Sequence, residues 1–415
     1  TIEIDQSIKK GTKIIINNHN STLAFFERNY NNNTYTYRSF FPRLKKISFR
    51  FAGIIDQQDA YDILFFPLTA YNTVDKSMIG LLLYAPQFPY PTFQFRLIPL
   101  YSINNNKLNG SYLIEKSLPI NQIAQNITTS LFYQTYSLPD YFQQSKWDNL
   151  KFKIEIPFVI RNNLSRWNFL YSFDFNYATL PFYPFDHELY FLNKISTFKQ
   201  FNIYKTELHL LLENNHDFAK FKLTGRLFFP YNSNKKGIDL DYFWGAFLFN
   251  HSRYSIYNLF LSGINGIKDY TNNEVFVDRF NVATANSFWQ HQFIMDDGMF
   301  TTYTPIQSNH WLTSLRGSIA MPIPPPIYLY GAVGTYYRAK NAWDGSKQFP
   351  WEIGFEIRMI KNIFAIYFPI KMSSDITSIS NFIYGDNYLR KLRFTIRLSK
   401  INPFKYTSKI HTFFE

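Results

Sequence analysis

The stretch YLRKLRFTIRLSK, Tyr388 to Lys400, alternates Leu392, Phe394, Ile396 and Leu398 with Lys391, Arg393, Thr395, Arg397 and Ser399. An extended backbone sends successive side chains to opposite faces, so this stretch predicts a strand with one apolar side and one wet side. In a soluble sandwich the apolar side meets a core. In an outer-membrane barrel it meets lipid, and the charged side lines the lumen.

The rest of the chain repeats the pattern. Ile47, Phe49 and Phe51 alternate with Lys46, Ser48 and Arg50, and Lys151 to Ile156 reads KFKIEI. From Trp167 to Tyr177 the residues Trp167, Phe169, Tyr171, Phe173, Phe175 and Tyr177 share one face of a strand. Aromatics at period two cannot share a face of a helix, and aromatic bands at the membrane boundaries mark barrels. Further strands are expected at Met78–Tyr84, Phe93–Tyr101, Ser111–Glu115, Thr128–Thr135, Glu207–Leu212, Lys220–Phe229, Asp239–Phe249 and Tyr254–Leu261. The last third adds Leu312–Met321, Ile327–Tyr337, Glu352–Met359 and Ile363–Met372. Pro99, Pro157 and Pro369 fall within or close to strands, where they imply bulges. The expected fold is all-β: a transmembrane antiparallel β-barrel of about 16 strands. It would span residues 46–404 and close by pairing Leu392–Ser399 with the first strand near Ile47. Residues 1–45 read as a linker or small β extension, and 405–415 as a C-terminal tail.

Composition narrows the function classes. Of 415 residues 20% are aromatic and 18% charged, against about 25% charged in soluble domains. An A/T-biased genome would inflate Phe, Tyr, Ile, Asn and Lys together, so residue order carries more weight than content. The net charge of +13 is spread singly along alternating strands rather than gathered on a basic helix. That fits a basic lumen, or rims meeting anionic headgroups, better than nucleic-acid binding. The absence of cysteine rules out disulfides, thiolate metal sites and a Cys nucleophile. No continuous apolar run approaches the roughly 18–20 residues of a membrane-spanning helix. The chain starts at Thr1 without a signal peptide, as expected of a portion of something longer.

Catalytic patterns are incomplete. His187 and Glu188 begin an H-E-x-x-H motif, but Phe191 stands where its second histidine belongs. Glu207, His209, Glu213 and His216 would cluster around a metal only on a helix. No G-x-S-x-G and no phosphate-cradling glycine motif occurs. Asp296, Asp297 and Gly298 read as a loop tip rather than as acid/base carboxylates. Asp278 and Arg279 either pair inside the lumen or sit in a solvated loop. No catalytic residue, cofactor or metal is expected on this chain.

Two groups of segments carry a resemblance: PLTAYNTVDKSMIGLLLY (Pro67 to Tyr84) with FRLIPLYSINNNKLNG (Phe95 to Gly110), and EVFVDRF (Glu274 to Phe280) with MDDGMFTTYTPIQSNHWL (Met295 to Leu312), EIGFEIRMIKNIFAIYFPI (Glu352 to Ile370) and LRFTIRLSKINPF (Leu392 to Phe404). Together they resemble the C-terminal outer-membrane barrel of bacterial proteins in which an aminopeptidase-N-like zinc metallopeptidase precedes the barrel. The resemblance implies a Gram-negative outer-membrane module that anchors an upstream peptidase domain, which alone would hold zinc, with peptide passage through a polar lumen. Its partners would be the bilayer and that domain. The last three strands also resemble the closing strands of the BamA-like insertase superfamily. In that superfamily a loop before the fifth-last strand enters the lumen with an Arg-Gly-aromatic motif. Here the comparable place reads Asp297, Gly298, Met299, Phe300, with no arginine before the glycine. An assembly or secretion pore is therefore the second reading, and a soluble all-β binding protein the third.

Overall fold

A computed structural model describes residues 13–15, 34–36, 46–53, 55, 60–72, 74–86, 93–119, 126–137, 146–162, 165–180, 183–201, 204–231, 236–277, 279, 291–323, 326–337, 349–360, 363–385 and 387–397. Two short strands, β1 (Lys13–Ile15) and β2 (Thr34–Thr36), pair antiparallel with each other. The large sheet comprises β3 (Lys46–Phe51), β4 (Ala60–Asn72), β5 (Lys76–Tyr84), β6 (Phe93–Ser102), β7 (Lys107–Pro119), β8 (Asn126–Ser137), β9 (Lys146–Asn162), β10 (Ser165–Leu180), β11 (Tyr183–Phe201), β12 (Tyr204–Asn214), β13 (Phe218–Pro230) and β14 (Gly237–Asn250). After a long insertion that holds the short pair β15 (Leu259–Phe260) and β16 (Gln307–Ser308), it continues with β17 (Trp311–Ala320), β18 (Ile327–Tyr336), β19 (Trp351–Ile360), β20 (Phe364–Met372) and β21 (Arg393–Ile396). A helix, α1 (Ser374–Tyr384), lies between β20 and β21.

The 17 strands follow one another in the ring order of a closed barrel. Consecutive strands from β4 to β14, and on through β17 to β21, pair antiparallel. The eleven strands before the insertion and the five after it are thus the antiparallel barrel expected from the sequence. The remaining strand, β3, pairs parallel to β4, with Phe51 opposite Phe65. Every join has a described register except that between β21 and β3, so the expected pairing of Leu392–Ser399 with the strand near Ile47 is not seen among the described residues.

Burial runs opposite to that of a soluble sandwich. Along β17 exposure alternates residue by residue: Leu315 is 49% exposed whereas its neighbour Arg316 is 2% exposed. On β10, Ser172, Asn176 and Ala178 are buried and Tyr177 is exposed. Ile47, Phe49 and Phe51 are all exposed. Such a pattern is stable only where the outside is apolar and the inside holds partners for its charges. Among the described residues no helix is long and apolar enough to cross a membrane.

Several expectations need correction. Strands β9, β10 and β11 run to 17, 16 and 19 residues, not the 9–11 that a bilayer requires. At about 3.3 Å per residue they reach beyond a hydrocarbon core of about 30 Å. Tyr254–Leu261 is not a barrel strand but a 3-10 turn at Ser255–Tyr257 followed by β15. Tyr257, Leu259, Phe260 and Leu261 are buried against the wall, and a short apolar run does not say which environment buries it. The final stretch begins as a 3-10 turn, Tyr388–Lys391, because the Asn387 side chain accepts a hydrogen bond from the Leu389 amide. Only Arg393–Ile396 is described as strand, and Leu398 lies outside the described residues. Pro369 does sit beside a register shift, opposite Gly354. Pro157 keeps its register with β10 and Pro99 with β7, but the β5–β6 ladder skips Ile98 and Pro99.

Candidate functional site

Strand alternation brings charges of opposite sign side by side on the inner wall. Glu207 on β12 pairs in register with Arg226 on β13, Arg226 with Asp241 on β14, and Asp241 with Arg316 on β17. Arg316 donates to Glu356 at 2.6 Å, and Arg226 lies 2.9 Å from Asp239. Arg358 bridges Glu356 and Asp239. All of these except Asp239 border a cavity of about 320 Å³, which Lys194, His209 and Arg397 also line. Inside a barrel such pairs hold the wall together and set a polar surface of mixed sign.

The insertion between β14 and β17 packs inside the barrel, and between it and the wall around Trp147 and Lys151 a second cavity of about 660 Å³ is left. The insertion's apolar residues Leu259, Leu261, Met299, Phe300 and Ile306 pack on Phe243, Leu312 and Tyr336 of the wall, and Tyr257 and Tyr270 pack on Tyr190 and Phe218. Asp297, Lys220 and Glu352 are among the polar anchors that fix it. Asp297 Oδ1 accepts from Lys222 Nζ at 2.6 Å, and its Oδ2 accepts from the Phe260 amide at 3.2 Å. Lys220 Nζ donates to the Tyr257 carbonyl at 2.6 Å. Glu352 on β19 accepts from the Thr301 amide at 2.6 Å, the Thr301 hydroxyl at 2.9 Å and the Thr302 amide at 2.9 Å. Gly298 sits so close to the neighbouring chain that a Cβ there would lie 2.0 Å from the Leu261 carbonyl oxygen. Glycine is therefore required where the insertion turns past β15.

The sequence-predicted residues fall out unequally. Asp297, Gly298 and Phe300 come together in the interior, with Asp297 2% and Phe300 0% exposed. Asp297 is thus an anchor rather than part of a solvated loop tip, whereas Asp296 remains exposed. Burial alone would raise the Asp297 carboxyl, but the Lys222 and Lys220 ammoniums hold it below the usual carboxylate range. Arg279 bonds within the insertion, to Asp269 at 2.9 Å and to the Gly266 and Asp269 carbonyls. Asp278 lies outside the described residues. In the final strand, Leu392 and Ile396 are half-buried, and Phe394, expected on the lipid face, is only 3% exposed. Glu207, His209 and Glu213 are on a strand, so the outer two lie about 20 Å apart. His216 is in the following turn, salt-bridged to Asp217. No group of metal-binding residues forms among the described residues. Sequence reasoning missed Lys222 and Glu352: each is one polar residue on an alternating strand, and nothing local separates an anchor from any other inward-facing charge.

Among the described residues, Lys268 of the insertion is held without a hydrogen-bond acceptor. Lys268 Nζ is buried over the Phe260 ring at 4.0 Å and the Tyr303 ring at 5.0 Å. Burial first, and then the nearby Arg393 charge, bring Lys268 down to about 7 from an ordinary 10.5. Between those values the unfolded chain binds more protons than the folded one, so this residue's contribution to stability rises with pH across that window. Below about 7 the folded state carries the full cost of the buried charge. Lys268→Met is expected to raise stability at pH 6–7, on the order of 2 kcal/mol, and to lose that advantage as pH approaches 10.5. Denaturation midpoints in detergent at pH 6, 8 and 10 check this; an advantage independent of pH contradicts it.

The class these features define is an antiparallel barrel, apolar outside and charged inside, whose lumen holds its own insertion before the fifth-last strand. No family model matches the chain, and no curated protein does, so the resemblance to metallopeptidase-associated barrels finds no support there. Solved structures similar to it include CdiB from Acinetobacter baumannii (11% identity, TM-score 0.35, covering 77% of this chain and 60% of that one). Others are BamA from Haemophilus ducreyi lacking POTRA domains 1–3 (10%, TM-score 0.38, 76% and 70%) and CdiB from Escherichia coli (8%, TM-score 0.38, 77% and 63%). The chain thus spans less than two thirds of either CdiB. These are distant likenesses in shape, and what the chain does has to be read from its own geometry.

Proposed function

We propose that the chain is an integral outer-membrane barrel of the BamA-like assembly or secretion type, in a Gram-negative bacterium, rather than a passive anchor or an open pore. The observation that carries this reading is the place and state of the insertion. It leaves the wall between the eleventh and twelfth antiparallel strands, enters the lumen, and bonds both to the wall and to the terminal strand. A pore for free passage of peptides would not carry an insertion bonded across its lumen, and an anchor would have no use for such polar contacts. The outward Ile, Leu, Phe and Tyr residues make lipid the outer partner. The soluble binding reading fails on the same exposure, since it would leave the apolar faces of most strands in water.

Reconstitution tests the assignment. In liposomes the purified chain is expected to speed the insertion of an unfolded outer-membrane barrel relative to protein-free vesicles, and no acceleration would overturn it. The metallopeptidase module is tested separately, by reading the coding sequence directly upstream of Thr1: an H-E-x-x-H helix there restores that reading, and any other domain removes it.

A further inference from the structure

On one side β21 pairs with β20, Tyr367 opposite Arg393 through Phe364 opposite Ile396. Its other side is the one the ring order places toward β3. There the carbonyls of Leu392, Phe394 and Ile396 are bonded to the lumenal insertion. The Leu392 oxygen accepts from His291 Nδ1 at 2.7 Å, the Phe394 oxygen from the Phe293 amide at 3.0 Å, and the Ile396 oxygen from Gln292 Nε2 at 3.0 Å. Gln292 and Phe394 form a single parallel bridge. Gln292 also accepts from the Val277 amide and donates to the Val275 carbonyl, which ties this contact to the rest of the insertion. Arg393 completes the hold from within, its guanidinium 4.0 Å above the Phe293 ring and donating to the Thr301 carbonyl.

We propose that His291–Phe293 is a latch on the terminal strand: it keeps that edge occupied, and the barrel seam opens or pairs anew only when the latch leaves. Three features suit it to release. Two of its edge bonds, those of His291 and Gln292, come from side chains, so they can break without unfolding a ladder. The bridge is single and parallel, a weaker hold than the antiparallel registers elsewhere in the wall. The segment also lies four residues before Asp297, so movement of the insertion away from Lys222 pulls directly on the latch. The lumenal contents and the seam are thereby one mechanical unit.

The chain has no cysteine, so single reporters are clean. Phe394→Cys, at a position 3% exposed, is expected to react slowly with a small maleimide in the folded protein. Adding His291→Ala and Gln292→Ala should speed it roughly tenfold, the effect of losing two edge hydrogen bonds. A control cysteine at Ala365 on β20 should not change. An unchanged Phe394→Cys rate, or an equal rise at both positions, overturns the latch. If the alanine variant does not fold, Gln292→Cys with Phe394→Cys decides: a disulfide in the folded protein supports the contact, and failure to form one refutes it. Neither readout involves cargo, so the latch and the assembly activity stand or fall separately.

Discussion

Asp297→Ala is expected to be among the most damaging single substitutions in this protein. Lys220 and Lys222 are 1% and 8% exposed, and two carboxylates balance them: Asp297, and Glu213 at 3.9 Å from each lysine. Removing Asp297 leaves an excess positive charge in the interior, a loss of about 3–5 kcal/mol when one partner of a buried pair is deleted. It also frees the Phe260 amide and the turn at Gly298, so the insertion should loosen before the barrel does. The expected signature is proteolytic cleavage within 251–310 under conditions where the wall stays resistant. Asp297→Leu with Lys222→Met should recover most of the loss, because an apolar pair of similar volume carries no desolvation cost. If the single and double variants are equally unstable, the ion pair is not what holds the insertion.

Leu315→Arg should be costly for the opposite reason. Leu315 projects outward from β17 with its cross-strand neighbour Val333, both exposed. An arginine there would face hydrocarbon, at about 2–4 kcal/mol near the bilayer midplane and much less near the interface. The cost should therefore vary with acyl-chain length when folding is measured in vesicles of different thickness. In a detergent micelle the same variant should be far milder. A penalty that is the same in every lipid would mean that Leu315 faces protein.

Much of the wall was legible because it obeys one rule. Lys151–Ile156, Trp167–Tyr177 and Leu312–Ala320 alternate cleanly in sequence and each lies in a strand, with the apolar side outward most plainly on β17. Strands β4 and β11 were missed where the rule is blurred: Pro67 interrupts the first, and the second opens on the charged residues His187 and Glu188. The insertion was harder. Tyr254–Leu261 and Asp297 are buried by residues from distant strands, Tyr190, Phe218 and Lys222 among them. A local pattern reports the periodicity of the backbone and not what packs against it, so the first was taken for a barrel strand and the second for a loop tip. The closing strand failed for a related reason. Its alternation was read correctly, but Phe394 is buried and its strand edge is taken by Gln292 and Phe293, about a hundred residues away.

The central claim is that lipid lies outside this wall and water and charge inside it. Two consecutive residues on β13 test it directly. Leu223 pairs with Leu210 and Trp244, both exposed on the outer surface, whereas Thr224 lines the inner cavity. Nitroxide labels at Leu223→Cys and Thr224→Cys in bilayers should divide cleanly, with the first relaxed by dissolved oxygen and the second by a water-soluble nickel chelate. Equal access of the chelate to both positions, or the reverse order, would contradict the account.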